Sequence, residues 1–381
     1  MIGLLLACAL SLVIAFAAGA APVIRNPSPY LPPLLRFENG SQVVDEAGWR
    51  QRRHEVSRLA QETFLGTYPA DVPPLSSHRI INVTAAGEGV SCTFVELTFD
   101  TSRGGGAVAS VTLPLEIIAP TDNARRPVFL TQWNHRQWAL EGVARGYIGV
   151  VYPGSDAKDV APLFQQAYPQ SSFALITARA FVGSRCLDFI LAHWPNVNPQ
   201  QVALTGHSRN VNCKLSSRGL HAIRARRLPC HCKARGVFVL TWLWELVLGT
   251  QGKQSLVFAA LDERVTATVG SSPGVPIASP YHFSSENYYG ESPRTGGVTC
   301  KGPKWWLCSS LEYDGHPERM PMDGHGILGL CAPRACAIAT VRCSMTVSVL
   351  VMNLADALRC YRPIKTAVTI PTPTRCRSRR H

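Results

Sequence analysis

Long apolar runs are missing from this chain beyond its first twenty residues. No later stretch reaches the roughly 18 apolar residues that a spanning helix needs. The longest candidate, VFVLTWLWELVLG at 237–249, is shorter and contains Glu245. Internal repeats are missing too, which removes solenoid architectures. Paired clusters of metal ligands are missing: the triplet Cys230-His231-Cys232 has no matched second pair, so no metal is expected. Acidic residues are scarce, 25 Asp plus Glu against 38 Lys plus Arg, a formal net charge of +13. That balance ordinarily points to nucleic acid or an anionic surface. Its placement argues otherwise. Residues 211–251 carry net +6 and residues 341–381 net +7, so the rest of the chain is neutral overall. No nucleic-acid partner is expected.

The N-terminus is where apolar residues do accumulate. MIGLLLACALSLVIAFAAGA ends on Ala18-Gly19-Ala20, the pattern of a secretory signal covering residues 1–20, cleaved to leave no membrane anchor. A secreted, extracellular chain meets an oxidising compartment. Outside the signal and the two basic blocks stand Cys92, Cys186, Cys300, Cys308, Cys331 and Cys336, enough for one to three disulfides. Asn39-Gly-Ser and Asn82-Val-Thr are glycosylation sequons and are expected at the surface.

Periodicity organises the body of the chain. GWRQRRHEVSRLAQETFLG spaces Trp49, Val56, Leu59 and Phe64 as a helix does. CTFVELTFD (92–100) and AVASVTLPLEII (107–118) alternate and suit antiparallel strands. PVFLTQW (127–133), YIGVVYP (147–153), QVALTGHS (201–208), ATVGSSPG (267–274) and APRACAIAT (332–340) are short apolar runs of the kind buried parallel strands require. Helical patterns lie between them, at WALEGVARG and across 171–194. Strands alternating with helices imply an α/β fold, a doubly wound, mainly parallel sheet with helices on both faces.

QVALTGHSRN places Ser208 after a buried strand, with Gly206 two residues before it. This is most of the G-x-S-x-G nucleophile elbow, with Asn210 replacing the second Gly. Such a turn puts the hydroxyl at a helix N-terminus, where free N–H groups favour an oxyanion. The helix does not follow. Residues 211–251 are basic, Cys-rich and aperiodic, and the helical text GKQSLVFAALDER begins only at Gly252. The block starts with Val, whose codons begin GT, and ends with Gln251, for which CAG is a codon. It reads as a translated intron placed inside the tightest turn of the fold.

Joined across this block, G-H-S-R-N-G-K resembles the glucuronoyl esterase family of carbohydrate esterases, whose signature is G-C-S-R-x-G-K on an α/β-hydrolase fold. LPPLLRFENGSQV resembles that family's opening segment. PKWWLCSSLEYDGHPERMPMDGHGILGLCAPRA resembles its W-F-S…L-P-x-D-x-H-x-L-x-A-L-I-A-P-R-P run. The resemblance spans residues 30–210 and 252–340, within a hydrolase domain of 21–340. It implies serine-dependent hydrolysis of 4-O-methyl-glucuronate esters such as those joining xylan to lignin. A glucuronate-containing polysaccharide is then the partner, and no cofactor is needed. Ser208 is the implied nucleophile and Arg209 an oxyanion donor, with a second N–H from the loop at Trp133-Asn134. Lys253 and either Trp305 or Trp306 are implied to bind the sugar.

The resemblance fails at the other triad members. Ser272 stands where the family often has Glu. The acid and the His are expected to be lost after Thr340, the last residue of the final strand pattern. Residues 341–381 lose the family's character and read as an out-of-frame tail; a shifted frame through Met345 and Thr346 restores an Asp. The expected His would follow there. His325 precedes the last strand and is the remaining candidate base, since His207 adjoins the nucleophile and His381 ends the tail. If 211–251 is an intron, sequencing of mature transcript will find the Asn210 codon joined to the Gly252 codon. A transcript retaining the block contradicts that reading.

Overall fold

The structure is a computed structural model that describes residues 30–155, 158–209, 249–278, 280–283, 305–341 and 347–352; at 208–209, 249–251, 308, 340–341 and 347–352 it describes backbone only. The signal segment, most of the basic block, Cys300 and the tail from 353 lie outside these residues.

Helix α1, Glu46–Ala60, opens on Asp45, whose side chain accepts from the Gly48 N–H, and buries Trp49, Val56 and Leu59 as their spacing requires. A single π turn, Gln61–Leu65, continues it and buries Phe64. Strands β1 (Leu75–Gly87), β2 (Val90–Asp100) and β3 (Ser110–Pro120) pair antiparallel in sequence. β4 (Arg126–Gln132) leads through a short turn at Trp133–His135 into α2 (Arg136–Val143), then β5 (Ile148–Tyr152). Helices α3 (Ala161–Ala167) and α4 (Leu175–His193) precede β6 (Val197–Arg209). The two-residue β7 (Gly249–Thr250) runs directly into α5 (Gln251–Leu261), followed by β8 (Ala267–Ser271). Helix α6 (His325–Cys331), β9 (Ala335–Val341) and β10 (Val347–Met352) complete the described elements.

All strands join one sheet in the order β1-β2-β3-β5-β4-β6-β8-β9-β10, with β7 on β6. The five central strands, β5-β4-β6-β8-β9, are parallel. The chain after β4 returns on one side of it and the chain after β5 on the other, so β4 and β6 flank a topological switch point. Open α/β sheets bind ligands at the carboxyl ends of such strands.

The sheet does not end at Thr340. β9 continues through Thr340 to Val341, and these two pair antiparallel with Ser348 and Val347 of β10. A break in pattern directly after Thr340 was the expectation; the backbone instead carries the strand on and folds back along it. The reason lies in residues 347–352, VSVLVM, whose β-branched and apolar content suits a strand whatever its origin.

Side-chain alternation separates the two faces. On β5, Val150 and Tyr152 join the main core, while Gly149 and Val151 meet Ala139 and Val143 of α2. Glu116 on β3, fully buried, accepts two hydrogen bonds from Arg136 Nε at 2.7 and 3.0 Å and one from the Cys92 thiol at 3.0 Å. The pair fastens the start of α2 to the sheet. Burial and that bond to Glu116 push the Cys92 thiol up to about 11. Of the described helices only α2 lies on this face; on β8, Val269 remains 41% exposed.

α5 is buried on every side, from Gly252 through Ala260. The helix lies between β6 and β8 below it and α4 and α6 around it, so polar Lys253, Gln254 and Ser255 are enclosed with the rest. Cys92, Cys186, Cys331 and Cys336 are free thiols. Both sequon asparagines, Asn39 and Asn82, are exposed.

Gly270 permits the close approach of α5 to β8: a Cβ there would lie 2.5 Å from Leu256 Cδ1. Gly270→Ala is expected to cost about 1–3 kcal/mol in urea unfolding, and Leu256→Val added to it should recover part of the loss. Additive losses would show that the contact does not limit the packing.

Candidate active site

The switch point brings together three loops. From β4 come Trp133, Asn134 and His135; from β6 come His207 and Ser208; from β8 come Ser271 and Ser272. His135 Nε2 donates to the His207 carbonyl at 3.1 Å, joining the first two across the crevice. Trp138 stacks on His135 with ring centres 4.9 Å apart. His207 and Ser271 are register partners on β6 and β8, and His207 Nδ1 lies 2.8 Å from Ser271 Oγ. That contact makes a cross-strand tie of two polar strand ends.

Ser208 does not start a helix directly. Its backbone pairs antiparallel with Thr250, and Arg209 pairs with Gly249. The chain therefore leaves the sheet after Arg209 and re-enters it beside the same residues, one step before α5. Ser208, Arg209 and the first turn of α5 are neighbours in space although 41 residues separate Asn210 from Gly252. The side chains of Ser208 and Arg209 lie outside the described residues.

Lys253 sits in that first turn, fully buried, with Nζ 5.4 Å from the centre of the Trp305 ring. A desolvated ammonium over an indole face is a favourable cation–π pair. Trp305 is half-buried, and its carbonyl accepts from Ile176 N at the start of α4. Trp306 behaves differently. It is 0% exposed and packs edge-on against Phe64 at 6.1 Å. Of the two tryptophans, Trp305 is the more exposed, and Trp306 fills the core.

Beneath the crevice, Tyr152 Oη accepts from Gln132 Nε2 at 2.7 Å and Gln254 Nε2 at 3.2 Å. This links the ends of β4 and β5 to α5, next to Lys253. Above it, Lys158 Nζ lies 3.5 Å over Trp133, and Asn134 Oδ1 accepts from Ser155 Oγ at 3.0 Å. The loop expected to supply the second oxyanion donor is thus held from both sides. Ser272, which the resemblance aligns with a frequent Glu, has φ +46, a left-handed conformation that costs a non-glycine residue energy. Its N–H donates to Ala339 O at 2.6 Å, tying β8 to β9 one residue before Thr340.

His325 is not placed as a base. It is 3% exposed, and its Nε2 donates to the Pro32 carbonyl at 2.8 Å. Burial, above all, holds its pKa below the ordinary histidine value. Its role is to anchor the segment near residue 32 to the start of α6. The neighbouring Asp323 is likewise structural: its carboxylate accepts from Tyr281 N, His282 N, His282 Nδ1 and Gly324 N at 2.6–3.1 Å. The D-x-H part of the run therefore braces loops. No sequence periodicity marks the ties of Asp323 to His282 or of His207 to Ser271, because each joins segments distant in the chain. Among the described residues no group of three or more His, Cys, Asp or Glu is placed to hold a metal.

These elements define an α/β-hydrolase fold. Comparison with known proteins narrows the likeness. Residues 249–357 match the family model for fungal glucuronyl esterase. The 4-O-methyl-glucuronoyl methylesterase of Podospora anserina is 20% identical over 309 residues, which cover 78% of this chain; the chain spans about half, 52%, of that relative's length. Among solved structures, a promiscuous family 15 carbohydrate esterase from a marine bacterial metagenome superposes with TM-score 0.58 at 19% identity, covering 83% of this chain and 79% of that one. A serine-to-alanine variant of the Sporotrichum thermophile glucuronoyl esterase, solved with methyl 4-O-methyl-β-D-glucopyranuronate, gives TM-score 0.55 at 15% identity, covering 83% and 72%. The chain resembles glucuronoyl esterases in both sequence and fold. The family match starts within three residues of the expected junction at Gly252. It also runs past Thr340 as far as residue 357.

A buried histidine with a lowered pKa binds its proton more readily once unfolded. Its contribution to stability is complete above about pH 6.5, the unfolded value, and falls as pH drops through it. Urea midpoints are therefore expected to fall between pH 7 and pH 5, and His325→Gln, which keeps a donor toward Pro32, should flatten that fall. An unchanged slope in the variant would remove His325 as its source.

Proposed function

We propose that this chain encodes a secreted serine esterase that cleaves 4-O-methyl-glucuronoyl esters of the kind linking xylan to lignin. The observation that carries the reading is the pairing of Ser208 with Thr250, which reassembles the interrupted G-H-S-R-N and G-K halves at the carboxyl edge of the sheet. Ser208 is the nucleophile. Its oxygen attacks the ester carbonyl carbon, and the backbone N–H of Arg209 and of the Trp133–Asn134 loop receive the developing oxyanion. Lys253 and Trp305 hold the uronate ring, a role supported by their contact and by the glucuronate ester carried by the Sporotrichum relative. Loss of the alcohol leaves an acyl-enzyme that water hydrolyses, returning the serine and the uronic acid. No cofactor takes part.

The same reading accounts for what is wrong with the chain. Residues 211–251 are an intercalated segment, supported by the return of the backbone to its point of departure and by a family match that begins at 249. The triad acid and base belong to the chain beyond Thr340. The match through 357 and the pairing of β10 with β9 argue against a reading-frame break as early as 341 and for one nearer the end of that match. Without a base, Ser208 loses several orders of magnitude in rate.

Protein in which Asn210 is joined to Gly252 and the reading frame of the tail is restored is expected to hydrolyse methyl or benzyl glucuronate faster than p-nitrophenyl acetate, and Ser208→Ala should lower kcat at least about 10³-fold. Preference for p-nitrophenyl acetate would assign the chain to another secreted esterase of this fold. Binding to glucuronoxylan without turnover would make it a non-catalytic polysaccharide-binding relative. Either result contradicts the proposal.

A further inference from the structure

Two cysteines meet where α6 hands over to β9. Cys331 is the last residue of α6 and stands where the run L-I-A-P-R-P has Ile; Cys336 is the second residue of β9. The turn between them is closed by Arg334 N donating to Cys331 O at 2.9 Å. It folds the strand start back against the helix end, so that the Cys336 and Cys331 thiols neighbour one another in the core. Both are buried, at 1% and 4% exposure. Cys331 Sγ also contacts the carbonyls of Ile327 at 3.7 Å and Leu256 at 3.9 Å.

The residue between them explains what the turn does. Arg334 Nη1 donates to Ala259 O, Asp262 O and Val265 O at 2.6–3.0 Å, and Nη2 to Leu330 O at 2.8 Å. Its guanidinium satisfies carbonyls at the C-terminal ends of two helices at once, including α5, whose first turn carries Lys253. Arg53 reinforces it from α1 through Leu330 O and Ala260 O at 3.0 and 3.1 Å. The position of α5 thus depends on the 331–336 turn keeping its shape.

We propose that Cys331 and Cys336 form a disulfide when the chain meets a disulfide oxidant, locking this turn around Arg334. The neighbouring Cys336 thiol first, and then the Arg334 and Arg53 charges, lower the pKa of Cys331 from the ordinary cysteine value, so Cys331 is the thiol that gives up its proton and attacks first. It displaces one thiolate from a low-molecular-weight disulfide RSSR and forms a mixed disulfide. Cys336 then gives its proton to the released RS⁻ and attacks the Cys331 sulfur. The second RS⁻ leaves and takes up the Cys331 proton lost at the start. Two protein thiols and RSSR become one protein disulfide and two RSH. Because both sulfurs are buried, the exchange belongs to folding or to local opening of the end of α6. The proposal is independent of the assignment of Ser208, because it concerns neither the nucleophile nor the substrate.

The test needs no variant. The full chain is equilibrated with oxidised and reduced glutathione at a secretory-pathway ratio, quenched in acid, alkylated with iodoacetamide in denaturant and digested with trypsin. Arg334 lies between the two cysteines, so its cleavage makes the cross-link visible. The peptide ending at Arg334 and the one starting at Ala335 should stay joined without reductant and separate with it, both unalkylated at cysteine. Cys186, buried beside no other described cysteine, should be alkylated throughout. The same measurement on the chain with 211–251 excised guards against a full chain that fails to fold. Alkylation of both Cys331 and Cys336 in both preparations, or a link from either to a different cysteine such as Cys300 or Cys308, overturns the proposal.

Discussion

The parallel pairing of β6 between β4 and β8 is the constraint on which the rest depends. It aligns His207 with Ser271 and sets the backbone of residue 208 at the edge of the sheet. It also places the departing chain where Thr250 can pair with it. A buried parallel strand has little freedom, because each neighbour satisfies its N–H and C=O groups and a slip in register would expose its core side chains. Loop entropy rises only slowly with length. A long segment can therefore extend between residues 210 and 249 while the sheet keeps its pattern, provided its two ends lie side by side.

Much of this fold is legible in the residues. Alternation in CTFVELTFD and SVTLPLEII belongs to strands whose one face is buried, and they pair antiparallel. Continuous apolar runs such as IGVVY belong to strands covered on both faces, and they pair parallel. β1 leaves no such trace because LSSHRIINVTAAG has no buried face; nearly every residue is exposed and the strand exists through its hydrogen bonds to β2. α3 leaves none because seven residues are too few to show a period. Lys253 is legible only through the resemblance. A lysine in a helix ordinarily faces solvent, and here the packing of α5 between sheet and helices decides otherwise. His325 misleads for the converse reason. A histidine near a catalytic-looking run suggests a base, yet its Nε2 serves the Pro32 carbonyl. A change in composition after Thr340 is not a change in backbone: VSVLVM still pairs as a strand.

The two faces of the sheet differ in a way that bears on the end of the chain. Helices α4, α5 and α6 build the main core, whereas α2 alone covers part of the opposite face among the described helices. Val269, at the middle of β8, is left 41% exposed there. An apolar side chain at the centre of a parallel strand is ordinarily covered, since such strands are flanked by helices on both sides.

The central claim is that the sheet presents the Ser208 hydroxyl as a nucleophile once the intercalated segment is removed. Labelling of the protein with 211–251 excised and the frame of its tail restored, with a fluorophosphonate followed by peptide mapping, tests it most directly. The account predicts phosphonylation at Ser208, slowed when glucuronate ester is present. Labelling of some other serine, or none in a protein that is folded and binds glucuronate, contradicts it.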